Sequence, residues 1–284
     1  MSQFIDVDPE VMRKKFGYDA FAVRHNLVDH PLLQIDRLAQ LADSLPPDQA
    51  EHTDSDAPDI LPGGGEQDTR LTAGEVVRGI EANGKWMVLK RVHTDPEYAE
   101  MTKQILDEID SEKVEREGGR ISSECYILIS SPSSNVPSHF DPEYNLLFQI
   151  HGTKEITIGK FKDPETERVE AERYYGGGHR NISDLPHNAQ VFAMGPGDGV
   201  HIPPQDPHAI KNGPEYSISL STSFYTKPQA EVVDVYAMNA RLRRMRLSPK
   251  GPGESPAADR LKASTWRGMR EARNAVRKVT SGRS

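Results

Sequence analysis

A single cysteine, Cys125, stands in 284 residues, which excludes an internal disulfide framework and any cysteine-rich zinc site. Its neighbours Tyr126, Ile127 and Leu128 make it a core thiol rather than a nucleophile. No apolar run approaches the roughly 20 residues that a membrane-spanning helix needs. The opening Met1-Ser2-Gln3-Phe4-Ile5-Asp6 lacks the basic start and apolar core of a secretory signal, so a cytosolic setting is expected. Basic charge is scarce over most of the chain. The net charge of -8 divides into -18 over the first 240 residues and +10 from Arg241 onward, where 13 Lys or Arg face 3 Asp or Glu. An acidic body argues against nonspecific nucleic-acid binding. The basic tail suits an acidic partner, or the acidic body of its own or a second subunit.

What is present is a soluble globular composition, 36% hydrophobic and 27% charged. Asp29-His30-Pro31 is expected to start a helix, with Asp29 as cap, Leu33, Leu38, Leu41 and Leu45 on one side, and Pro46-Pro47 as its stop. The acidic stretch around Asp54 to Thr69, with Gly63-Gly64-Gly65, reads as a loop. A short helix is expected over Thr72 to Ile80, a strand over Trp86 to Val92, and an amphipathic helix from Asp95-Pro96-Glu97 to about Glu117. Gly118-Gly119 ends it.

Beyond that point the pattern changes to short strands divided by Gly and Pro turns. The expected strands are Glu124 to Ser130, Asn145 to Ile150, Lys154 to Ile158, Gln190 to Met194, Gly199 to Ile202 and Tyr216 to Thr226. After Pro228 helical character returns, with a linker at Pro249 to Pro256 and a basic helix over Ser264 to Val279. Trp266 and Met269 ask for a packing partner. The expected division is 1–83, a helical and loop region packing on the core; 84–228, the β domain; and 229–284, a basic helical extension.

Within the β segment, Ser138-His139-Phe140-Asp141 places a histidine and a carboxylate on one side of an extended strand. A third ligand from another strand would complete two imidazoles and one carboxylate on one face of an octahedral metal, the donor set of non-haem Fe(II) oxygenases. His201, His187 and His179 are competitors for that third place. His208 is preferred because it follows the turn-rich Gly197-Asp198-Gly199-Val200-His201-Ile202-Pro203-Pro204-Gln205-Asp206-Pro207, a rigid lead into the final strands. In Lys154-Glu155-Ile156-Thr157-Ile158 alternation sets Lys154 on the apolar side with Ile156 and Ile158. An inward ammonium needs a partner, and the far carboxylate of a dicarboxylic acid would supply one.

The run His139-Phe140-Asp141-Pro142-Glu143-Tyr144-Asn145-Leu146-Leu147-Phe148-Gln149-Ile150-His151-Gly152-Thr153-Lys154 resembles the core of the JmjC, cupin-like 2-oxoglutarate oxygenases, nearest their asparaginyl-hydroxylase-like branch. Asn145, Gln149, Gly152 and Lys154 match that branch in order and spacing. Gly197-Asp198, Ile202-Pro203-Pro204 and the closing Ser221-Thr222-Ser223-Phe224-Tyr225 are similar to it as well. The resemblance covers about Glu124 to Thr226. It implies a mainly β fold with flanking helices around a double-stranded β-helix (jelly-roll, cupin-like) core. It also implies Fe(II) held by His139, Asp141 and His208, and 2-oxoglutarate as co-substrate. Lys154 would take its distal carboxylate, with Asn145 giving a supporting contact.

Two positions depart from the branch: Val136 stands where a Thr is usual, and Ser223 where an Asn is usual. Ser134, Asn135 and Ser138 are candidates to replace the first hydroxyl. Tyr126 is a candidate donor to the co-substrate, or a strand residue only. Tyr144 lines the entrance or packs outside, and Gln205 and Asp206 face the pocket or hold their loop.

The resemblance implies hydroxylation of a C–H bond with O2, giving succinate and CO2, on a peptide side chain or a small amino-acid-like molecule. Hydroxylation at a carbon attached to nitrogen would give demethylation. The rivals are a cupin using another divalent metal, with no need for Lys154, and a noncatalytic regulatory protein. No helix-turn-helix is evident, and the basic C-terminus alone does not establish DNA binding. A homodimer through the C-terminal helices is the expectation from the family.

Overall fold

The protein is described here by a computed structural model that covers residues 3–54, 71–109 and 112–281. The loop expected around Gly63-Gly64-Gly65 lies outside those residues. Twelve strands and eight α-helices occur among them. In chain order these are β1 (Ile5–Asp6), α1 (Pro9–Lys15), β2 (Phe21–His25), α2 (Ile35–Ser44), β3 (Ala50–Asp54), α3 (Ala73–Arg78), β4 (Lys85–Leu89), α4 (Pro96–Glu108), α5 (Glu112–Arg116), β5 (Arg120–Ser130), β6 (Asn135–His139), β7 (Tyr144–His151), β8 (Lys154–Lys160), α6 (Pro164–Tyr175), β9 (His187–Met194), β10 (Asp198–Ile202), β11 (His208–Asn212), β12 (Ser217–Thr226), α7 (Lys227–Arg244) and α8 (Pro256–Ser281).

The strands form two antiparallel sheets. An eight-stranded sheet has the order β1-β2-β10-β7-β12-β5-β4-β3, and a four-stranded sheet the order β6-β11-β8-β9. One face of the large sheet packs on the helices. There Cys125, Ile127 and Ile129 of β5, Leu146 and Phe148 of β7, and Ile218, Leu220 and Phe224 of β12 join Leu38 and Leu41 of α2 and Ile105 of α4 in the largest apolar cluster. The alternate residues look the other way. Leu147 of β7 meets Ile156 and Ile158 of β8, Ile202 of β10 and Ile210 of β11, with Leu128 of β5 against them. This second cluster joins the two sheets, and period-two alternation along each strand creates both cores at once.

Several helices are set by their caps. Asp95 accepts from the Glu97 amide at 2.9 Å ahead of Pro96, and Thr72 and Glu75 form a reciprocal capping box at the start of α3. The helix expected from Asp29 is a 3-10 turn over Pro31–Leu33 followed by α2. His30 caps that turn instead of Asp29, through its ring Nδ1 and the Leu32 amide. The long helix expected to Glu117 is divided into α4 and α5. Gly118 and Gly119 both take the left-handed conformation that ends it (φ +87° and +81°).

The expectation of a mainly β protein needs correction, because the helices hold more of the described residues than the strands do. α1 and α6 were not anticipated, yet both carry the Asp-Pro start that marks α4: Asp8-Pro9 and Asp163-Pro164. The Asp163 carboxylate accepts from the Thr166 amide at 2.7 Å. α6 and α7 enclose a third apolar cluster of Phe140, Ala171, Ile182 and Tyr236, which backs the segment carrying His139 and Asp141. Trp266 of α8 finds its partner in Arg241 of α7, whose guanidinium lies over the indole at 5.5 Å from the ring centroid.

Candidate metal and co-substrate site

His139 ends β6 and His208 begins β11, and the two residues are direct partners across that antiparallel ladder. Their rings lie 4.2 Å apart between centroids. Asp141 follows two residues after His139, and the ligand atoms of all three fall within 4.8 Å of one another. The ring orientations are fixed from behind. His139 Nδ1 donates to the Pro137 carbonyl at 2.8 Å, and His208 Nδ1 donates to the Asp206 carbonyl at 3.0 Å. Each ring then offers Nε2 as a lone pair, the state that a metal requires.

Electrostatics favour the same protonation states. Burial, aided by the neighbouring imidazole, pushes His139 down to about 3, and burial lowers His208 too. Desolvation of the largely enclosed Asp141 opposes its charge, yet Arg180 and the two histidines hold it down at about 2. The site is therefore two neutral imidazoles and one carboxylate at neutral pH. Glu143 goes the other way. Burial and the Asp141 charge push it up to about 7, and Tyr225 donates to it at 3.0 Å.

Lys154 is the first residue of β8 and is 4% exposed. Its Nζ donates to the Ser219 Oγ at 2.6 Å, and no ion pair to it is found among the described residues. Burial alone pushes its ammonium down to about 7. Asn145 sits opposite Ser223 in the β7–β12 register, and its side-chain carbonyl accepts from Ser221 at 2.9 Å. A hydrogen bond from Asn145 also supports the Asp141 carboxylate. Ser223 is buried, and its Oγ has no hydrogen-bond partner among the described residues.

Other expectations fare differently. Tyr126 lies on the same side of β5 as Leu128, but its hydroxyl donates to Glu124 of its own strand. Tyr144 faces the helix side, stacked between Phe16 and Phe224, so it packs outside and does not line an entrance. Asp206 holds its loop through Lys160 at 2.7 Å, and the Gln205 amide donates to Tyr175 at 2.9 Å. The competing histidines are engaged elsewhere. His201 accepts from the Gly17 amide and faces the Asn145 carbonyl, His187 pairs with Asp184, and His179 contacts Arg173.

Two features escaped the sequence reading. Arg180 donates to Asp141 Oδ1 at 2.5 Å, while Oδ2 points toward His208 Nε2 at 3.6 Å. The other is the serine row 217, 219, 221 and 223 on β12, whose period-two spacing in Ser217-Ile218-Ser219-Leu220-Ser221-Thr222-Ser223-Phe224 was open to inspection. The hydroxyl beside Lys154 is that of Ser219.

Comparison with known proteins agrees with this geometry. Residues 92–232 match the family model described as a JmjC domain. That match makes 141 of the 284 residues similar to a JmjC domain. No curated protein matches the sequence. Among solved structures, the Escherichia coli ribosomal oxygenase YcfD is similar in fold, with a TM-score of 0.55 at 14% identity over 95% of this chain and 68% of that one. A second structure of E. coli YcfD gives 0.54 at 15% identity, covering 94% and 69%. A third, in complex with cobalt and 2-oxoglutarate, gives 0.52 at 16% identity, covering 87% and 59%.

At such identities the likeness establishes a mixed α/β JmjC-like fold. The structures just named are of one ribosomal oxygenase, and the expected leaning toward the asparaginyl-hydroxylase-like branch finds no support in them. The 2-His-1-carboxylate set is consistent with the active site of an Fe(II)- and 2-oxoglutarate-dependent oxygenase. No helix of the described residues is long and apolar enough to cross a membrane.

Proposed function

We propose that this protein hydroxylates a C–H bond in a polypeptide side chain, or in a small molecule resembling an amino acid, converting 2-oxoglutarate and O2 to succinate and CO2. The observation that carries the reading is Lys154, a buried cation with only a neutral hydroxyl beside it, in the same inter-sheet space as the triad. A metal-binding cupin of another kind has no use for such a lysine. A dicarboxylate explains it, since a carboxylate entering beside Nζ offsets the cost of burying the charge.

In this reading His139, Asp141 and His208 hold Fe(II), Lys154 anchors the distal carboxylate, and Asn145 and Ser223 support the co-substrate between them. Bound together, iron and 2-oxoglutarate supply the oxidising chemistry. The chain's own contribution is placement. Pro137 and Asp206 carbonyls orient the imidazoles, Arg180 turns one carboxylate oxygen of Asp141 away, and the second apolar cluster keeps water from the anchored end. Tyr126 is assigned a place on the wall of this space through its strand position.

The two sheets are read as the halves of a double-stranded β-helix, with 84–228 as the catalytic unit, 1–83 packed on it and 229–284 as a basic extension. Exposed Leu261, Met269 and Val276 on α8 support association of two copies through the C-terminal helices. The likeness to a ribosomal oxygenase favours a polypeptide over a free amino acid. The acidic body and the single buried thiol fit a cytosolic enzyme that does not bind nucleic acid by its main fold.

The test is succinate formation from 2-oxoglutarate by Fe(II)-loaded protein, with peptide pools as substrate and a mass gain of one oxygen as readout. Peptide-stimulated succinate release that is absent in His208→Ala supports the reading. Equal rates in the variant contradict it.

A further inference from the structure

The co-substrate reading leaves open what holds Lys154 in place before a ligand arrives. The lysine lies at the head of β8, and its ammonium reaches across to Ser219 on β12, in the other sheet. The direction of the next bond is fixed by an accounting of donors. Gln149 of β7 is fully buried, and the two hydrogens of its amide nitrogen are shared among three acceptors, the His151 carbonyl at 2.5 Å, the Gly152 carbonyl at 3.1 Å and Ser217 Oγ at 3.1 Å. An amide oxygen could not take that place, because two carbonyl oxygens would face it. Gln149 Oε1 must therefore turn toward Ser219, which donates to it at 2.8 Å. With its hydrogen committed, Ser219 can meet Lys154 only as an acceptor.

The same glutamine fastens the turn that delivers the lysine. Gly152 lies in the left-handed region (φ +70°) between β7 and β8, and an added Cβ would stand 2.2 Å from the Tyr216 carbonyl oxygen. Gln149 thus grips the turn from one end and orients the lysine's acceptor from the other.

We infer that Gln149 and Ser219 are positioning residues for the co-substrate, a hydrogen-bond relay that fixes Lys154 through a neutral acceptor and leaves its charge and remaining N–H groups for a carboxylate of the ligand. The inference rests on the 2-oxoglutarate reading given above. A protein carboxylate in place of Ser219 would hold the lysine as firmly but neutralise it. A neutral hydroxyl fixes the geometry without competing for the charge.

The relay predicts a defect confined to the distal end of the ligand. Anaerobic calorimetric titration of Fe(II)-loaded protein would compare 2-oxoglutarate with pyruvate, which keeps the keto acid but lacks the second carboxylate. Ser219→Ala should weaken 2-oxoglutarate roughly tenfold, the worth of one hydrogen bond to a charged group, and leave pyruvate and Fe(II) affinity as in wild type. Ser219→Thr, which keeps the hydroxyl, should restore most of the loss, and Gln149→Asn, too short for the relay, should behave like Ser219→Ala. Equal weakening of both keto acids, or no weakening of either, would overturn the relay while leaving the oxygenase reading intact. Failure of wild type to bind 2-oxoglutarate at all would remove that reading and the relay with it.

Discussion

His208 faces His139 directly across the β6–β11 ladder, and each ring is locked through Nδ1 to the carbonyl two residues before it. Two residues distant in sequence thereby become a pre-oriented pair, and Asp141 adds the carboxylate. Ordering costs are met by folding rather than by metal binding.

Loss of any member of this set should abolish stable Fe(II) binding. His139→Ala, Asp141→Ala and His208→Ala are each expected to weaken Fe(II) by at least about 100-fold, the upper end of what a supporting residue alone contributes. The apo fold should persist, since its largest core lies on the opposite face of the large sheet. Metal titration followed by circular dichroism of the same samples checks both halves.

Arg180→Ala removes the charge that keeps Asp141 ionised and oriented. Fe(II) affinity should fall roughly 10- to 100-fold, with Arg180→Lys recovering only part, because a lysine cannot reproduce the planar fork. A value unchanged in Arg180→Ala would remove the residue from the site's support.

Much of this site could be read before the fold was known. His139 and Lys154 lie on strands and Asp141 two residues beyond a strand end, where a period of two indicates which residues share a side, and a lysine among isoleucines stands out. Arg180 could not be found that way. It reaches Asp141 from 39 residues away, from the segment after α6, and no local pattern encodes that approach. α6 itself was missed because its charged, weakly amphipathic run hides the Asp163-Pro164 start. Ser219 shows the reverse: the alternation was visible, but a serine's partner is settled only by packing.

Lys154 gives the protein a defined pH response. Burial lowers its ammonium from 10.5 to about 7 in the folded state. Between those values the unfolded chain holds a proton that the folded chain does not, so apo stability rises with pH through that window. The penalty of the buried charge is fully present below it. Anchoring a dicarboxylate needs the cation, so 2-oxoglutarate affinity should be flat below about 7 and fall by up to about tenfold per pH unit above. Titrations from acid to alkaline pH should show this slope in wild type and lose it in Lys154→Met.

Gly152→Ala should destabilise the fold by on the order of 2–3 kcal/mol, from left-handed strain and from a Cβ driven against backbone. The close approach to the Tyr216 carbonyl leaves no flexible side chain to yield. Denaturant unfolding measures it, and a change below about 0.5 kcal/mol would show that the turn can relax.

Cys125 is fully buried, with its thiol pushed up to about 12 by burial. It should resist thiol reagents in the native protein and react only on unfolding. Rapid native labelling would contradict the packing of β5 against the helices.

The central claim is that one site holds Fe(II) and 2-oxoglutarate together. The most direct measurement is anaerobic titration of Fe(II)-loaded protein with 2-oxoglutarate, followed by the visible charge-transfer band, in wild type, Lys154→Ala and His208→Ala. The account predicts a saturable band in wild type, much weaker saturation in Lys154→Ala and no band in His208→Ala. A folded, metal-loaded wild type that shows no band would contradict it.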